Sequence, residues 1–305
     1  VPFCIKCNLE AVTFIRYNGA HLCAEHFCEF VERRARKEVR KEVDLDGIRQ
    51  VAVALSGGKD SAVALHILHH ILNERRDVQV SAITVDEGIE PYRSITLEKA
   101  ARFTRELGVQ HHIIRFQDEF GMTMDEIASR TADRTPCTYC GVLRRRCMNK
   151  VARDIGADVL ATGLNLDDTA QSIMMNFTRG DMEKLARLGP HLRVQPGLIP
   201  RMQPLRMIPE KESLLYAMLK AIPFSEAECQ YAAAALRNEY RDLIEKLENA
   251  HPGTKHAIIS SYDSIRPTLM RTFPPASLGE CACGEPTSNE VCMSCALLEE
   301  VKRMK

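Results

Sequence analysis

The chain has 305 residues, 45% of them hydrophobic and 27% charged. That is ordinary for a soluble globular enzyme and long enough for one large domain with small appendages. Forty-one Lys and Arg balance 41 Asp and Glu, so overall charge selects no partner, and any nucleic-acid contact must come from local basic patches. No run of 18 apolar residues exists, and Val1-Pro2-Phe3-Cys4 lacks the basic-then-apolar pattern of a secretory signal; no membrane association is expected. Twelve cysteines in such a chain point to metal or redox chemistry in a reducing compartment, expected to be the cytoplasm, and not to a disulfide scaffold.

In chain order, the first element is Cys4-x-x-Cys7 followed, fifteen residues on, by Cys23-x-x-His26. Two close pairs joined by a short loop suit tetrahedral zinc, because each pair spans one edge of the tetrahedron. A structural zinc contributes on the order of 10 kcal/mol to folding, enough for so small a segment. Residues 29–44 carry six basic and five acidic side chains, among them Arg33, Arg34, Arg36, Lys37, Arg40 and Lys41. Mixed signs at helical spacing predict a solvated helix face or an RNA-contacting one.

From residue 49, strand and helix patterns alternate. Short runs rich in Val and Ile at Gln50–Leu55, Val78–Val85, His111–Phe116 and Ala157–Thr162 read as strands. Ser61–Leu72, Ser94–Leu107, Gly141–Ile155 and Thr169–Thr178 have helical periodicity. Such alternation implies an α/β fold, a parallel sheet covered on both faces. Pro223 onward reads helical through Glu248, and Pro274-Pro275 marks a linker. Beyond it, Cys281-x-Cys283 and Cys292-x-x-Cys295 make a second zinc quartet, its first pair one residue tighter than usual. The expected divisions are 1–44, ribbon and linking helix; 45–222, catalytic domain; 223–273, helical extension; and 274–305, second zinc ribbon.

The chemistry starts where strand Gln50–Leu55 runs into Ser56-Gly57-Gly58-Lys59-Asp60-Ser61 and a helix begins. Glycines let the backbone turn and aim N–H groups at an anion, the helix N-terminus adds its dipole, and Lys59 adds charge. The position five before Gly58 is Val53, so this phosphate cradle is not a Walker A loop. Asp167 and Asp168 fall at a strand-to-helix turn, where they could bind magnesium, orient a nucleotide or cap the helix. Residues 137–153 hold Arg144, Arg145, Arg146, Lys150 and Arg153 with no acid, a charge that suits RNA or nucleotide phosphates. Arginine is effectively never deprotonated, so Arg144 can stabilise charge but cannot serve as a base. Cys137-x-x-Cys140, on spacing alone, fits a redox-active pair, a third zinc site or part of an iron–sulfur site.

The SGGKDS loop resembles the PP-loop of ATP pyrophosphatases. The resemblance implies that ATP, with magnesium, is split between its α and β phosphates, leaving AMP on the substrate. Thr162-Gly163-Leu164-Asn165-Leu166-Asp167-Asp168-Thr169-Ala170-Gln171 resembles the second signature of that family, with Leu164 where histidine is usual. Asp86-Glu87-Gly88-Ile89, Gly121–Ile127 and Cys137-Thr138-Tyr139-Cys140-Gly141-Val142-Leu143-Arg144-Arg145 also match. With both ribbons, essentially the whole chain is similar to the TtuA/NcsA tRNA 2-thiouridine synthetases, above all to their wobble-uridine branch. The resemblance implies that Ser56–Ser61, Asp86 and Gly163 bind ATP, and that Asp167, Asp168 and Arg144 take part in catalysis. It further implies that Cys137, Cys140 and Cys229 hold three irons of a [4Fe–4S] cluster, leaving the fourth open to sulfide. Cys28 and Cys147 are then spare, Cys147 being expected as a buried small hydrophobe.

The expected function is ATP-dependent 2-thiolation of uridine 34 in tRNA. Sulfur would come from sulfide, a persulfide or a ubiquitin-like thiocarboxylate carrier, and the family suggests a homodimer. Alternatives are the same chemistry at U54, a PP-loop amidating enzyme of NAD-synthetase type, and a non-catalytic tRNA-binding subunit. The twelve cysteines argue against the second and the intact loop against the third.

Overall fold

The computed structural model describes residues 2–304 apart from 45, 74, 132–133, 192–193 and 233–235. A small hairpin comes first, β1 (Thr13–Ile15) antiparallel to β2 (Ala20–Leu22). Helix α1 (Ala24–Glu42) follows and buries Phe27, Val31, Ala35 and Val39, a stripe at i, i+4 spacing. Arg33, Lys37, Arg40 and Lys41 face solvent, as a mixed-charge helix face should. Arg34 is the exception: it turns inward to Glu212 and the Tyr17 hydroxyl, each at 2.6 Å.

The central unit then runs β3 (Gln50–Ala54), α2 (Lys59–Leu72), β4 (Gln79–Asp86), α3 (Tyr92–Leu107) and β5 (Gln110–Arg115). It continues through α4 (Phe116–Phe120), α5 (Met124–Arg130), α6 (Pro136–Asp154), β6 (Val159–Ala161), α7 (Leu166–Thr178), α8 (Met182–Ala186) and β7 (Arg201–Met202). The strands form one sheet in the order β5-β4-β3-β6-β7, every neighbouring pair parallel. Alternation along β3 decides the layers. Val51 and Val53 pack with α2 on one face, while Ala52 packs with Ala152 of α6 on the other. The order reverses at β3, so ligands are expected at its carboxyl end.

Helices α9 (Glu210–Leu219), α10 (Arg237–Ala250) and α11 (Thr254–Thr272) precede the hairpin β8 (Gly279–Glu280) and β9 (Pro286–Thr287), and α12 (Met293–Arg303) follows it. The four expected strands and four expected helices are present, several with shifted ends. α6 starts at Pro136, because Thr135 takes the cap position and proline fits the first helical residue. α7 starts at Leu166, because Asn165 and Asp168 form a reciprocal capping box. The helix expected from Pro223 does not form there: Ser225 N–H donates to Gly57 O at 2.9 Å, tying the segment beside the glycine loop. Among the described residues the next α-helix starts at Arg237. Among the described residues no helix is long and apolar enough to cross a membrane.

One buried acid makes stability depend on pH. Glu42, at the end of α1, is 2% exposed. One carboxylate oxygen accepts from Gln203 N–H at 2.7 Å and the other has no partner. Burial pushes it up to about 7 from near 4.5, against the Gln203 hydrogen bond and the Arg206 and Lys41 charges, with Glu38 adding to the rise. A raised folded value means the contribution is complete below the unfolded value and lost as pH climbs through about 7. Glu42→Gln is therefore expected to stabilise the chain at pH 8 by on the order of 1–3 kcal/mol and to change nothing near pH 4. Denaturant midpoints at the two pH values check this.

Candidate functional site

The glycine loop closes on itself. Ser56 N–H donates to Ser61 Oγ at 3.1 Å, Ser61 Oγ donates to Gly58 O at 2.9 Å, and Gly58 N–H lies 3.3 Å from Ser56 Oγ. Gly57 has φ +86°, and a Cβ there would stand 2.1 Å from Thr96 O, so no other residue fits. Gly58 caps α2 without a side chain, leaving the first-turn N–H groups free to face an anion. Gly163 permits the second close approach: a Cβ there would be 2.7 Å from Ser61 N. The β6–α7 turn thus lies against the start of α2. A cleft of about 650 Å³ opens above them, lined by Ser56, Gly58, Lys59, Asp60, Ser61 and Gly163 of the expected nucleotide residues. Leu164, where the family usually has histidine, lines it too.

The carboxylates divide between the cleft and the protein behind it. Lys59 Nζ is paired with Asp60 at 3.0 Å and Glu210 at 2.6 Å. Asp168 sits near them, held by Arg237 at 3.0 Å; burial raises its pKa, Arg237 opposes, and the Asp60 charge adds to the rise. Asp60 lines the cleft, whereas Asp168 and Glu210 do not, and neither does Asp167. Its oxygens are taken by the Lys255 ammonium and by Glu210 N–H at 2.8 Å, in a buried network that includes Glu245. That network ties α7 to α9 and α11.

Asp86 also lies outside the lining, accepting from Gly88 N–H at 3.0 Å and lying 3.5 Å from Arg115. Its neighbour Glu87 lines the cleft instead, buried and ion-paired with Arg93 and, at 3.6 Å, with Arg144. The sequence contained the signal for Glu87. Ile83, Val85 and Glu87 all line the cleft, the period of two that puts alternate residues on one face and Asp86 on the other. Arg145, Arg201 and Glu228 are further lining residues.

Cys137 and Cys140 sit three residues apart on the first turn of α6, one exposed and the other half-buried. Cys137 Sγ donates to Tyr231 O at 3.7 Å, which brings the segment around Cys229 to the same place. Cys229 and Cys140 pack against one apolar cluster. Burial pushes the Cys140 thiol up to about 11, with Arg144 opposing and the charges of Glu87, Cys229 and Cys137 adding. Gly141 and Arg144 after Cys140, and Glu226 to Glu228 before Cys229, line the cleft. Three free thiols from two segments thus stand at its rim, a donor set that fits an iron–sulfur cluster with one iron lacking a protein ligand. Cys147 is fully buried among apolar side chains and cannot join them.

At the chain's two ends the expected quartets assemble. The ligand atoms of Cys4, Cys7, Cys23 and His26 all lie within 4.8 Å of one another, as do those of Cys281, Cys283, Cys292 and Cys295. Each could hold a metal ion. Cys28 is outside the first group, buried on α1. The second quartet rests on the back of α6: Arg146 donates to Cys295 Sγ at 3.8 Å, and Tyr139 Oη donates to Glu300 at 2.6 Å.

A parallel sheet ordered β5-β4-β3-β6-β7, with this glycine loop and cleft at the turning point, defines a PP-loop nucleotide-binding protein; residues 29–247 match a PP-loop domain model. Residues 4–28 match the N-terminal LIM domain of the 2-thiouridine synthetase TtuA. The tRNA 2-thiolation protein NcsA of Haloferax volcanii is 37% identical, the alignment covering 98% of this chain and 99% of that one. The cytoplasmic tRNA 2-thiolation protein 1 of Bos taurus is 36% identical over 99% of this chain and 88% of its own. Among solved structures, the U34-tRNA thiolase NcsA of Methanococcus maripaludis with its [4Fe–4S] cluster is 35% identical with a TM-score of 0.84, covering 98% of this chain and 96% of that one. The chain belongs to the TtuA/NcsA family of PP-loop sulfurtransferases.

Proposed function

We propose that this protein is an ATP-dependent tRNA sulfurtransferase that adenylates the C2 oxygen of uridine 34 and then replaces that oxygen with sulfur. The observation that carries the reading is a cleft built on a PP-loop and lined by residues adjoining three free thiols, those of Cys137 and Cys140 on α6 and of Cys229. A uridine carbonyl oxygen leaves poorly, and transfer of AMP to it makes a good leaving group. The N–H groups of the loop and Lys59 bind the triphosphate. Asp60, which lines the cleft, would hold magnesium together with the nearby Asp168. Arg144, fixed by Glu87, faces charge that builds as diphosphate departs. A [4Fe–4S] cluster on Cys137, Cys140 and Cys229 would supply the sulfur, itself replenished by sulfide or a ubiquitin-like thiocarboxylate carrier. Two zinc ions complete the terminal quartets, and the working unit is a homodimer.

The target is tested by mass spectrometry of tRNA nucleosides after deletion of the gene. Loss of 2-thiouridine at position 34 is expected; loss confined to position 54 would reject the wobble assignment. Metal analysis is expected to return two zinc ions per chain and one after joint replacement of Cys4 and Cys7 by serine. That variant should lose thermal stability or tRNA affinity while ATP binding persists, because its quartet shares no residue with the cleft lining.

A further inference from the structure

The arginines around α6 are not equivalent. Arg144 has Glu87, Arg146 has Glu119 at 3.7 Å, Arg153 has Glu285 at 2.5 Å, and Arg206 has Asp263 at 2.5 Å. Arg145 and Arg201 both line the cleft, and among the described residues neither guanidinium has a hydrogen-bond or ion-pair partner. They also oppose each other. Desolvation in the cleft and the Arg144 charge hold Arg145 below the usual arginine value, with Cys140 opposing, and desolvation and the Arg145 charge do the same to Arg201. Two guanidiniums that face one cavity without a paired carboxylate are left free to take an anion. Guanidinium forks match the oxygens of a phosphate.

We infer that Arg145 and Arg201 form a phosphate subsite for the RNA strand that carries the target base. This rests on the proposed tRNA substrate and deepens it. Three observations favour RNA over the nucleotide as the source of the phosphate. The triphosphate already has a cradle in the loop amides and Lys59. Arg201 lies on β7, two strands from β3, roughly 10 Å at the usual strand spacing. And Arg145 folds back toward Gly141, where a Cβ would lie 3.5 Å from its Nη1, beside Cys140. A base brought to the cysteines carries its flanking phosphodiesters past that wall.

The test compares the full-length wild type with Arg145→Gln, Arg201→Gln and Arg201→Lys. Affinity for tRNA is measured over a range of KCl concentrations, and affinity for a non-hydrolysable ATP analogue by calorimetry. Each glutamine variant is expected to bind tRNA about fivefold to tenfold more weakly and to lower the salt slope by about one unit. Affinity for the analogue should stay within twofold, and Arg201→Lys should recover part of the loss. Unchanged tRNA affinity and slope in both glutamine variants, or a loss falling on the analogue instead, would overturn the subsite. Arg145 is open to the cleft, so its replacement tests the idea even if Arg201→Gln folds poorly. A wild-type chain that binds the analogue but no tRNA would instead remove the proposed function, and the subsite with it.

Discussion

Lys59→Ala is expected to lower tRNA-dependent AMP release at least a hundredfold while leaving the visible absorption of the reconstituted cluster unchanged. The size follows from what the substitution leaves behind. Lys59 neutralises both Asp60 and Glu210, and Asp60 already has one buried oxygen without a partner. Removing the ammonium takes a cation from the phosphates and presents them with two bare carboxylates. Loss of one positioned charge in a dry site costs about 10²–10³ in rate, and the repulsion adds to it. Lys59→Ala combined with Glu210→Gln should therefore be less impaired than Lys59→Ala alone. Selectivity follows from position: no cysteine belongs to the loop, and the thiols stand at the rim on α6 and near Tyr231. Normal AMP release by Lys59→Ala, with tRNA and sulfide present, would remove the loop from the chemistry.

The second large effect is expected from Cys229→Ala: loss of iron after anaerobic reconstitution and loss of 2-thiouridine formation, with AMP transfer to tRNA retained. Cys137 and Cys140 supply too few thiolates to hold a cubane by themselves. The two remaining mid-chain thiols differ sharply in setting. Cys229 is half-buried, in the segment whose Tyr231 carbonyl accepts from Cys137, whereas Cys147 is fully buried beside Leu143 and Leu297. Cys147→Ala should keep the cluster and activity, at a cost of about 1–2 kcal/mol for the small cavity. Iron and sulfide content with nucleoside mass spectrometry reads both variants. A cluster that survives without Cys229 but not without Cys147 would reassign the third ligand.

What could be read from sequence was what lies close along the chain. The glycine loop, the paired cysteines and the βα alternation each occupy a few to some twenty residues, and local sterics and periodicity determine them. The partners that complete the cleft come from afar. Glu210 reaches Lys59 across 151 positions, and Lys255 reaches Asp167 across 88. β7 is two residues long, too short to carry a period, so Arg201 had no pattern to announce it. Asp167 and Asp168 look interchangeable on paper. Successive residues on a helix point about 100° apart, which sends one into the Lys255 network and leaves the other near Asp60. The turn at Ser225 failed as a helix prediction because its backbone pairs with the glycine loop, a tertiary bond no local propensity contains.

The grip of the last ribbon on α6 sets an order of events during synthesis. The helix that presents Cys137 and Cys140 is covered on its other side by Leu297 and Val301, and two of its polar ties to that ribbon, Tyr139 to Glu300 and Arg146 to Cys295, span 161 and 149 positions. At ribosomal speeds of about 5–20 residues per second, those partners emerge roughly 8–30 s after the helix itself. Through that interval the nascent helix exposes an apolar face and the thiols of Cys137 and Cys140, a target for chaperones and for stray metal ions. The last ribbon is thus a closing clasp, and a ribosome-bound chain stalled before residue 281 should fail to protect α6 from proteases.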